Sequence, residues 1–431
     1  MEYFLIATIL LIVLIFAGVP IAFAIGATTT IYLLLVNPAN LISIPSRMFS
    51  GINSFTLMAL PLFMLAAEIM VRTGISTRLF DFVRISWIGK LRGGLAYVNI
   101  LASTIFGSIS GAALSDIAGL GYVEMKAMEE DGYDKGFAAA VTAASSCESP
   151  LIPPSNVAIL YAGTMSLSVG AVLWAGLIPG LLLAAAQMLY VALNAKRMNL
   201  PKHEKHYTKE EKRVIRKEGC LALGMPLIIL LGITLGWFTP TESAAVAVVY
   251  AIVVGVLIFH NISVRDFMSA LWVSAKTTAN LFLITSFSAV FAWAIGNEQV
   301  PQKIAEAILE VADSKYVVLL IMNLILIIAG MWLETSAAVL LFAPILAPIV
   351  VAAGVNPIHF AVICIVNLTL GLITPPVGVV LYATAGVADI SFGRMVKAAL
   401  PFIIINFIVL ALITYIPAIC LAVPQLLGFT V

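Results

Sequence analysis

The chain has 431 residues, of which 62% are hydrophobic and only 10% charged, with a formal net charge of +1 and a mean hydropathy of +1.09. Soluble domains carry about a quarter charged residues, so this balance excludes one and specifies a polytopic membrane protein. Apolar stretches long enough for a helical crossing recur from end to end, and the alternating pattern of an outer-membrane barrel is missing, which predicts an all-α bundle in an inner membrane.

The N-terminus, MEYFLIATILLIVLIFAGVP, has no basic region and no small-residue cleavage site, so the first span is expected to be retained. Spans are predicted at 3–17, 19–36 and 54–71, together the stretch 3–71. An amphipathic arm at 75–92 follows, then a re-entrant hairpin at 94–125, a broken span at 136–162 and a span at 171–195. A densely basic segment, 196–219, divides the chain near its midpoint. Beyond it the same order returns. Spans are predicted near 220–237, 240–259 and 277–295 (220–295), with an arm at 297–315, a hairpin at 317–347, a broken span at 359–386 and a last span at 399–423.

The halves 1–195 and 220–431 align on particular residues. Gly132 falls on Gly354, and Pro153 and Pro154 fall on Pro375 and Pro376, both at a displacement of 222 positions. With one residue of slippage ILYAG (159–163) falls on VLYAT (380–384), so an internal duplication is expected, as secondary transporters commonly show. Five crossings plus one hairpin per half is an odd count, and an odd count inverts one half against the other.

Charge supports that inversion. The central segment carries Lys202, Lys205, Lys209, Lys212, Arg213, Arg216 and Lys217 and belongs in the cytoplasm. The first arm, with Arg78, Arg84, Lys90 and Arg92 against Asp81, then lies on the cytoplasmic side. The second, with Glu298, Glu306, Glu310 and Asp313 against Lys303 and Lys315, lies outside, and both termini are placed in the periplasm. The arms are either interfacial helices, with Trp87 at the headgroup level, or ordinary loops with some helix.

The stretch SSCESPLIPPSN breaks the fourth span of the first half. Non-helical backbone at membrane depth is tolerated only where protein buries it or a wet cavity accepts it. Pro150, Pro153 and Pro154 each remove a donor and clash with the preceding turn. The freed carbonyls, with Ser145, Ser146, Ser149, Ser155 and Asn156, form a set of neutral oxygens suited to Na⁺, while the helix restarting after Pro154 offers its amide end to an anion. The second half repeats the device as LGLITPPVGVVLYA, with Gly371, Thr374, Pro375, Pro376 and Gly378. Duplicated broken helices point to a site near the midplane; the alternative is that paired prolines only kink two packed helices.

Two hairpin tips complete the set, FGSISGAALSD at 106–116 and AGMWLETSAA at 329–338. Their intramembrane acids Asp116 and Glu334, with Glu148 of the break and Glu68, are either ligands or else caps of a hairpin turn or partners in a pair across the domain. Glu242 belongs at a wet helix turn, and Arg47 is either a clamp for an anionic carboxylate or a snorkelling interface residue. Cys147, Cys220, Cys364 and Cys420 form no CxxC pair, the four histidines have no metal-ligand spacing, and HExxH and GxSxG are missing. No catalytic residue, cofactor or nucleic-acid partner is therefore expected.

At GSISGAALSDIAGLGYVEM with SPLIPPSNVAILYAG, and at GMWLETSAAVLLFAPILAP with NLTLGLITPPVGVVLYA, the chain resembles the large membrane subunit of the tripartite ATP-independent periplasmic (TRAP) transporters, over essentially its whole length. The resemblance implies an elevator-type secondary transporter of the ion transporter superfamily, with scaffold and transport domains and Na⁺ as coupling ion. It implies three partners besides membrane lipid: a separate small four-helix membrane subunit, a periplasmic binding protein, and an organic anion such as a carboxylate, dicarboxylate or sialic acid. Carried onto this chain, one Na⁺ site lies between Ser108, Ser110, Gly111 and Ser145, Ser146, Ser149, Pro150. A second lies between Gly330, Glu334, Thr335, Ser336 and Thr374, Pro375, Gly378. Substrate is expected between the tips, with Arg47, Asp116, Pro154, Ser155 and Asn156 as candidate contacts. The competing expectation is a stand-alone Na⁺/carboxylate symporter of the same superfamily that needs no binding protein.

Overall fold

The computed structural model describes residues 2–86, 88–202, 207–311 and 314–430, and among them the chain is helical, with one isolated bridge between Arg92 and Lys202. Trp87, Lys205 and Asp313, and the side chains of Ser108, Ser110 and Glu310, lie outside the described residues. The chain begins with α1 (Glu2–Phe16) and α2 (Ile21–Val36), which pack on each other across a turn at Gly18, where φ is +83°. A short helix not expected from the sequence, α3 (Ile44–Ile52), precedes α4 (Ala59–Arg72). The first arm is α5 (Ile75–Arg84), which stops well before residue 92.

The first hairpin rises through α6 (Gly94–Ser110), turns at Gly111 with φ +66°, and returns through α7 (Ala113–Asp116), a π-helical turn at Ile117–Gly121, and α8 (Tyr122–Glu130). The returning limb therefore continues past the expected end at 125. The first broken span is α9 (Lys135–Ser145) and α10 (Asn156–Thr164), followed by α11 (Val169–Asn194). The basic segment is not all linker, because Thr208 and Glu211 form a capping box that starts α12 (Lys209–Thr234) inside it.

The same chemistry opens the next two helices. Thr239 and Glu242 cap α13 (Pro240–Val253), leaving Glu242 exposed as expected, and Ser263 and Asp266 cap α14 (Val264–Asn297), which thus begins earlier than 277. The second arm is α15 (Val300–Val311), the second hairpin α16 (Lys315–Trp332) and α17 (Thr335–Ala352), and the second broken span α18 (Pro357–Gly371) and α19 (Val379–Val387). The last expected span is a longer helix, α20 (Phe392–Tyr415), and a separate α21 (Ala418–Leu426) divided from it at Pro417.

Among the described residues, six helices are long and apolar enough to cross a membrane: α11, Pro240–Ile258, α14, α16, α17 and α20. Shorter apolar helices include α1, α2 and α18. Large exposed side chains such as Leu5, Trp272 and Ile408 cover outer surfaces where lipid, not water, is the solvent. Two packing groups result. Helices α2, α3 and α4 pack on α14, and α4 packs on α13; α9 packs on α6 and α20, while α18 packs on α16, α17 and α11.

The residues aligned 222 positions apart build the same turn. Gly132 and Gly354 have φ +88° and +80°, and Asp134 and Asn356 cap the helix that follows, accepting from Phe137 N at 3.0 Å and from Ile358 N at 2.9 Å. A left-handed residue suits glycine, and an acidic or amide side chain satisfies the first orphan amides.

Candidate substrate and ion site

The first break follows from its prolines. Helix α9 ends in a 3-10 turn at Ser146–Glu148, and the backbone closes by Leu151 N donating to Glu148 O at 2.9 Å. It restarts at Ser155, whose hydroxyl donates to Pro150 O at 2.5 Å and accepts from Ala158 N at 3.1 Å. Ser155 thus spends its hydroxyl on the restart. The bond between Pro153 and Pro154 is cis, as is that between Pro375 and Pro376.

The first tip sits directly on this break. A Cβ on Gly107 would lie 2.5 Å from Ser149 Cα, and one on Gly111 would lie 2.7 Å from Asn156 N. Gly111, Ser149, Pro150 and Asn156 are therefore brought to one place, and the buried Ser149 hydroxyl has no partner among the described residues. Ser145 and Ser146 are engaged elsewhere. Ser145 Oγ lies 3.0 Å from Asn99 Oδ1 and 3.1 Å from Ser103 Oγ, and Ser146 Oγ donates to Ala143 O at 2.9 Å.

Behind the tip stand three buried carboxyls, Asp116, Glu124 and Glu148. Thr104 donates to Glu148 Oε2; Ser103 lies beside Asp116 and Glu124 without a well-formed hydrogen bond to either. Among the described residues no lysine, arginine or histidine pairs with them. Asp116 belongs to this cluster and not to the cavity described below. Glu124 was not singled out in the sequence, where it stands with Lys126, Glu129 and Glu130 at the polar end of the hairpin.

The second tip and break repeat the approach with other side chains. A Cβ on Gly371 would lie 2.5 Å from Gly330 C, and one on Gly330 would collide with the Leu368 backbone. Asn367, 222 positions after Ser145, donates to Asn323 Oδ1 at 2.7 Å, and Asn323 donates to Thr414 Oγ1 at 3.1 Å. Glu334 caps α17, accepting from Ser336 N at 2.9 Å, Ala337 N at 3.3 Å and Ser336 Oγ at 3.1 Å. Among the described residues the buried Thr335 hydroxyl has no partner, while Thr374 turns its hydroxyl back to Leu370 O at 2.7 Å. Gly378, at φ +60°, starts α19 just after Pro375 and Pro376. The two breaks touch each other where Cys147 Sγ lies 3.7 Å from Thr369 O.

Both tips open on one cavity of about 440 Å³. Gly111, Ser115 and Asn156 come from the first half; Glu334 and Ser336 from the second tip; Glu68 from α4; and Ser274, Thr277 and Asn280 from α14. Among the described residues no basic side chain lines it, and Arg72 pairs with Glu68 from one turn away at 3.6 Å. The α14 residues and Ser115 were missed in the sequence, where isolated small polar residues in an apolar span carry no signal. Arg47 and Pro154 do not line the cavity; Arg47 stacks over Trp293 with its guanidinium carbon 4.8 Å from the ring centroid.

Residues 8–419 match the family described as "Tripartite ATP-independent periplasmic transporter, DctM component". The chain is 39% identical over 420 residues to the sialic acid TRAP transporter large permease protein SiaM of Vibrio cholerae, covering 96% of this chain and 97% of that protein. It is 37% identical over 407 residues to the C4-dicarboxylate TRAP transporter large permease protein DctM of Pseudomonas aeruginosa, covering 94% and 95%. In fold it is similar to the crystal structure of the Alcanivorax borkumensis YdaH transporter, with a TM-score of 0.67 over 95% of this chain and 97% of that one. At 15% identity that likeness is of fold alone.

Proposed function

The chain belongs to the tripartite ATP-independent periplasmic transporter family as its DctM component, a multi-pass inner-membrane permease and not an enzyme, and from that premise we propose that it imports an organic anion together with Na⁺. The observation that carries this reading is the cavity between the two tips, lined by the carboxylates Glu68 and Glu334 and, among the described residues, by no basic side chain. Arg72 offsets Glu68 across their ion pair, which leaves Glu334 as like charge to an entering anion, and an accompanying cation would offset it. Unpartnered hydroxyls at Ser149 and Thr335, one beside each tip, are suited to that role, as are the carbonyls released at the breaks.

Sialic acid and C4-dicarboxylates, named for the two relatives, define the substrate class: a carboxylate, dicarboxylate or sugar acid. Asn156 and Ser336 offer donors to it at the cavity wall. Substrate arrives from a periplasmic binding protein, and a small membrane subunit completes the assembly. The cavity lies between the tips and helices α4 and α14, on the seam between the two packing groups. Movement of the hairpins and broken helices against that scaffold would carry the site across, as in an elevator. The halves form an inverted repeat, and both termini face the periplasm. One net positive charge moving inward releases about 2.3 kcal/mol per 100 mV, so a monoanion with two Na⁺ is driven by the potential as well as by the Na⁺ gradient.

The test is uptake into proteoliposomes holding this chain and its small subunit under an imposed Na⁺ gradient, with and without the binding protein. Uptake requiring both is expected. Na⁺-driven uptake of free substrate without the binding protein would transfer the chain to the stand-alone symporter reading, and uptake indifferent to Na⁺ would overturn the coupling.

A further inference from the structure

We propose that the cavity between the first arm, the first hairpin and α12 is a binding site for one anionic phospholipid, with its phosphate held by Lys90, Lys212 and Arg216. The cavity measures about 600 Å³ and has two chemically distinct parts. Phe82 and Ile88 from the arm and Leu101 from α6 give it an apolar floor; Lys90, Lys212 and Arg216 stand around it. Lys212 and Arg216 are one turn apart on the same face of α12, and Lys90 closes the 3-10 turn Ile88–Lys90 opposite them.

The three cations are free for a ligand. None has a carboxylate partner among the described residues, because the acids nearby are committed: Glu218 pairs with Arg78 at 3.1 Å and Asp81 with Arg84 at 3.9 Å. An unpaired basic side chain at a surface is ordinarily just solvated. Three converging on an apolar floor match both ends of an amphiphile instead.

Depth favours a lipid over a soluble ligand. Helix α12 is charged from Lys209 to Glu218 and apolar from Gly219 onward, which sets Lys212 and Arg216 at the headgroup level. A basic pocket between helices at that level is a site for an anionic headgroup. Just below it the arm is pressed on α12, since a Cβ on Gly219 would collide with Phe82. A free phosphate would satisfy the cations but leave Phe82, Ile88 and Leu101 uncovered.

The test reads binding and not transport, so its outcome is independent of the proposed import. The purified chain in detergent is titrated with phosphatidylglycerol or phosphatidylcholine and followed by native mass spectrometry. Wild type should retain one phosphatidylglycerol in preference to phosphatidylcholine. The triple variant Lys90→Gln, Lys212→Gln, Arg216→Gln should lose about a hundredfold in affinity, at about fivefold for each cation. The control Lys209→Gln, Arg213→Gln, Lys217→Gln removes the same charge, all of it from the exposed start of α12 and none of it from the cavity lining, and should lose less than about threefold. Equal losses in the two triples would reduce the effect to general attraction and overturn the site. So would equal retention of phosphatidylcholine, or displacement of the lipid by glycerol 3-phosphate at matching concentration. The single variant Arg216→Gln should keep the wild-type melting temperature and lose about fivefold; full affinity in it also overturns the proposal.

Discussion

Around Ser145 and around Asn367, 222 positions apart, the chain makes the same sequence of moves: a left-handed glycine, an Asx cap, a buried helix, a proline break and a restarted half-helix. The side chains around the two breaks differ. The first is backed by three buried carboxyls and a network of Asn99, Ser103, Thr142 and Ser145. The second is backed by Asn323, Asn367 and Thr414, and its single tip carboxylate, Glu334, already caps a helix. Backbone rules demand glycine, proline and a capping side chain at set places; they leave the neighbouring positions free to take different chemistry. The two breaks thus share a backbone shape and differ in the polar groups around it.

The close glycine contacts test the shared shape and carry the largest expected effect. Gly107→Val and Gly330→Val place a side chain against backbone that cannot yield, at Ser149 and Leu368. Each should cut Na⁺-driven uptake by about a hundredfold, the cost of a misplacement near 1 Å. Normal uptake in one variant and loss in the other would show that the two tips are not equivalent.

Chemistry at the second tip is next. Glu334→Gln keeps an acceptor for the cap but removes the charge, and should raise the Na⁺ concentration for half-maximal uptake about tenfold, matching the loss of one charge-assisted bond. An unchanged Na⁺ dependence would confine Glu334 to capping. A smaller effect is expected in the two networks. Asn99→Ala and Asn367→Ala each remove buried side-chain bonds worth about 1 kcal/mol apiece, lowering the melting temperature by a few degrees. The double variant should show additive shifts if the networks are independent, whereas coupling would mean that the breaks act as one unit through the Cys147–Thr369 contact.

Arg47→Ala should do least. Its stack on Trp293 lies away from the cavity lining, so half-saturation by substrate should change by less than about twofold, as for a surface substitution. A tenfold rise would return Arg47 to the substrate site.

Composition and both proline breaks were legible in the sequence, the breaks because each acts within a few residues of chain, while Gly132 and Gly354 were visible as an aligned pair and not as turns. The capping boxes at Thr208 and Ser263 act just as locally, yet they were passed over, since each extends an apolar helix backward into polar sequence that resembles a loop. Gly111 and Asn156 were visible as parts of two motifs, and the tight approach between them was not. What only the tertiary structure decided is which side chains share a space. Ser274, Thr277 and Asn280 face tips that lie far away along the chain, Glu124 joins Asp116 and Glu148 in one buried cluster, and Arg47 stays outside the cavity. A backbone break is dictated by the atoms of its own turn; a cavity wall depends on how packed helices cross and rotate, which no local pattern of residues encodes.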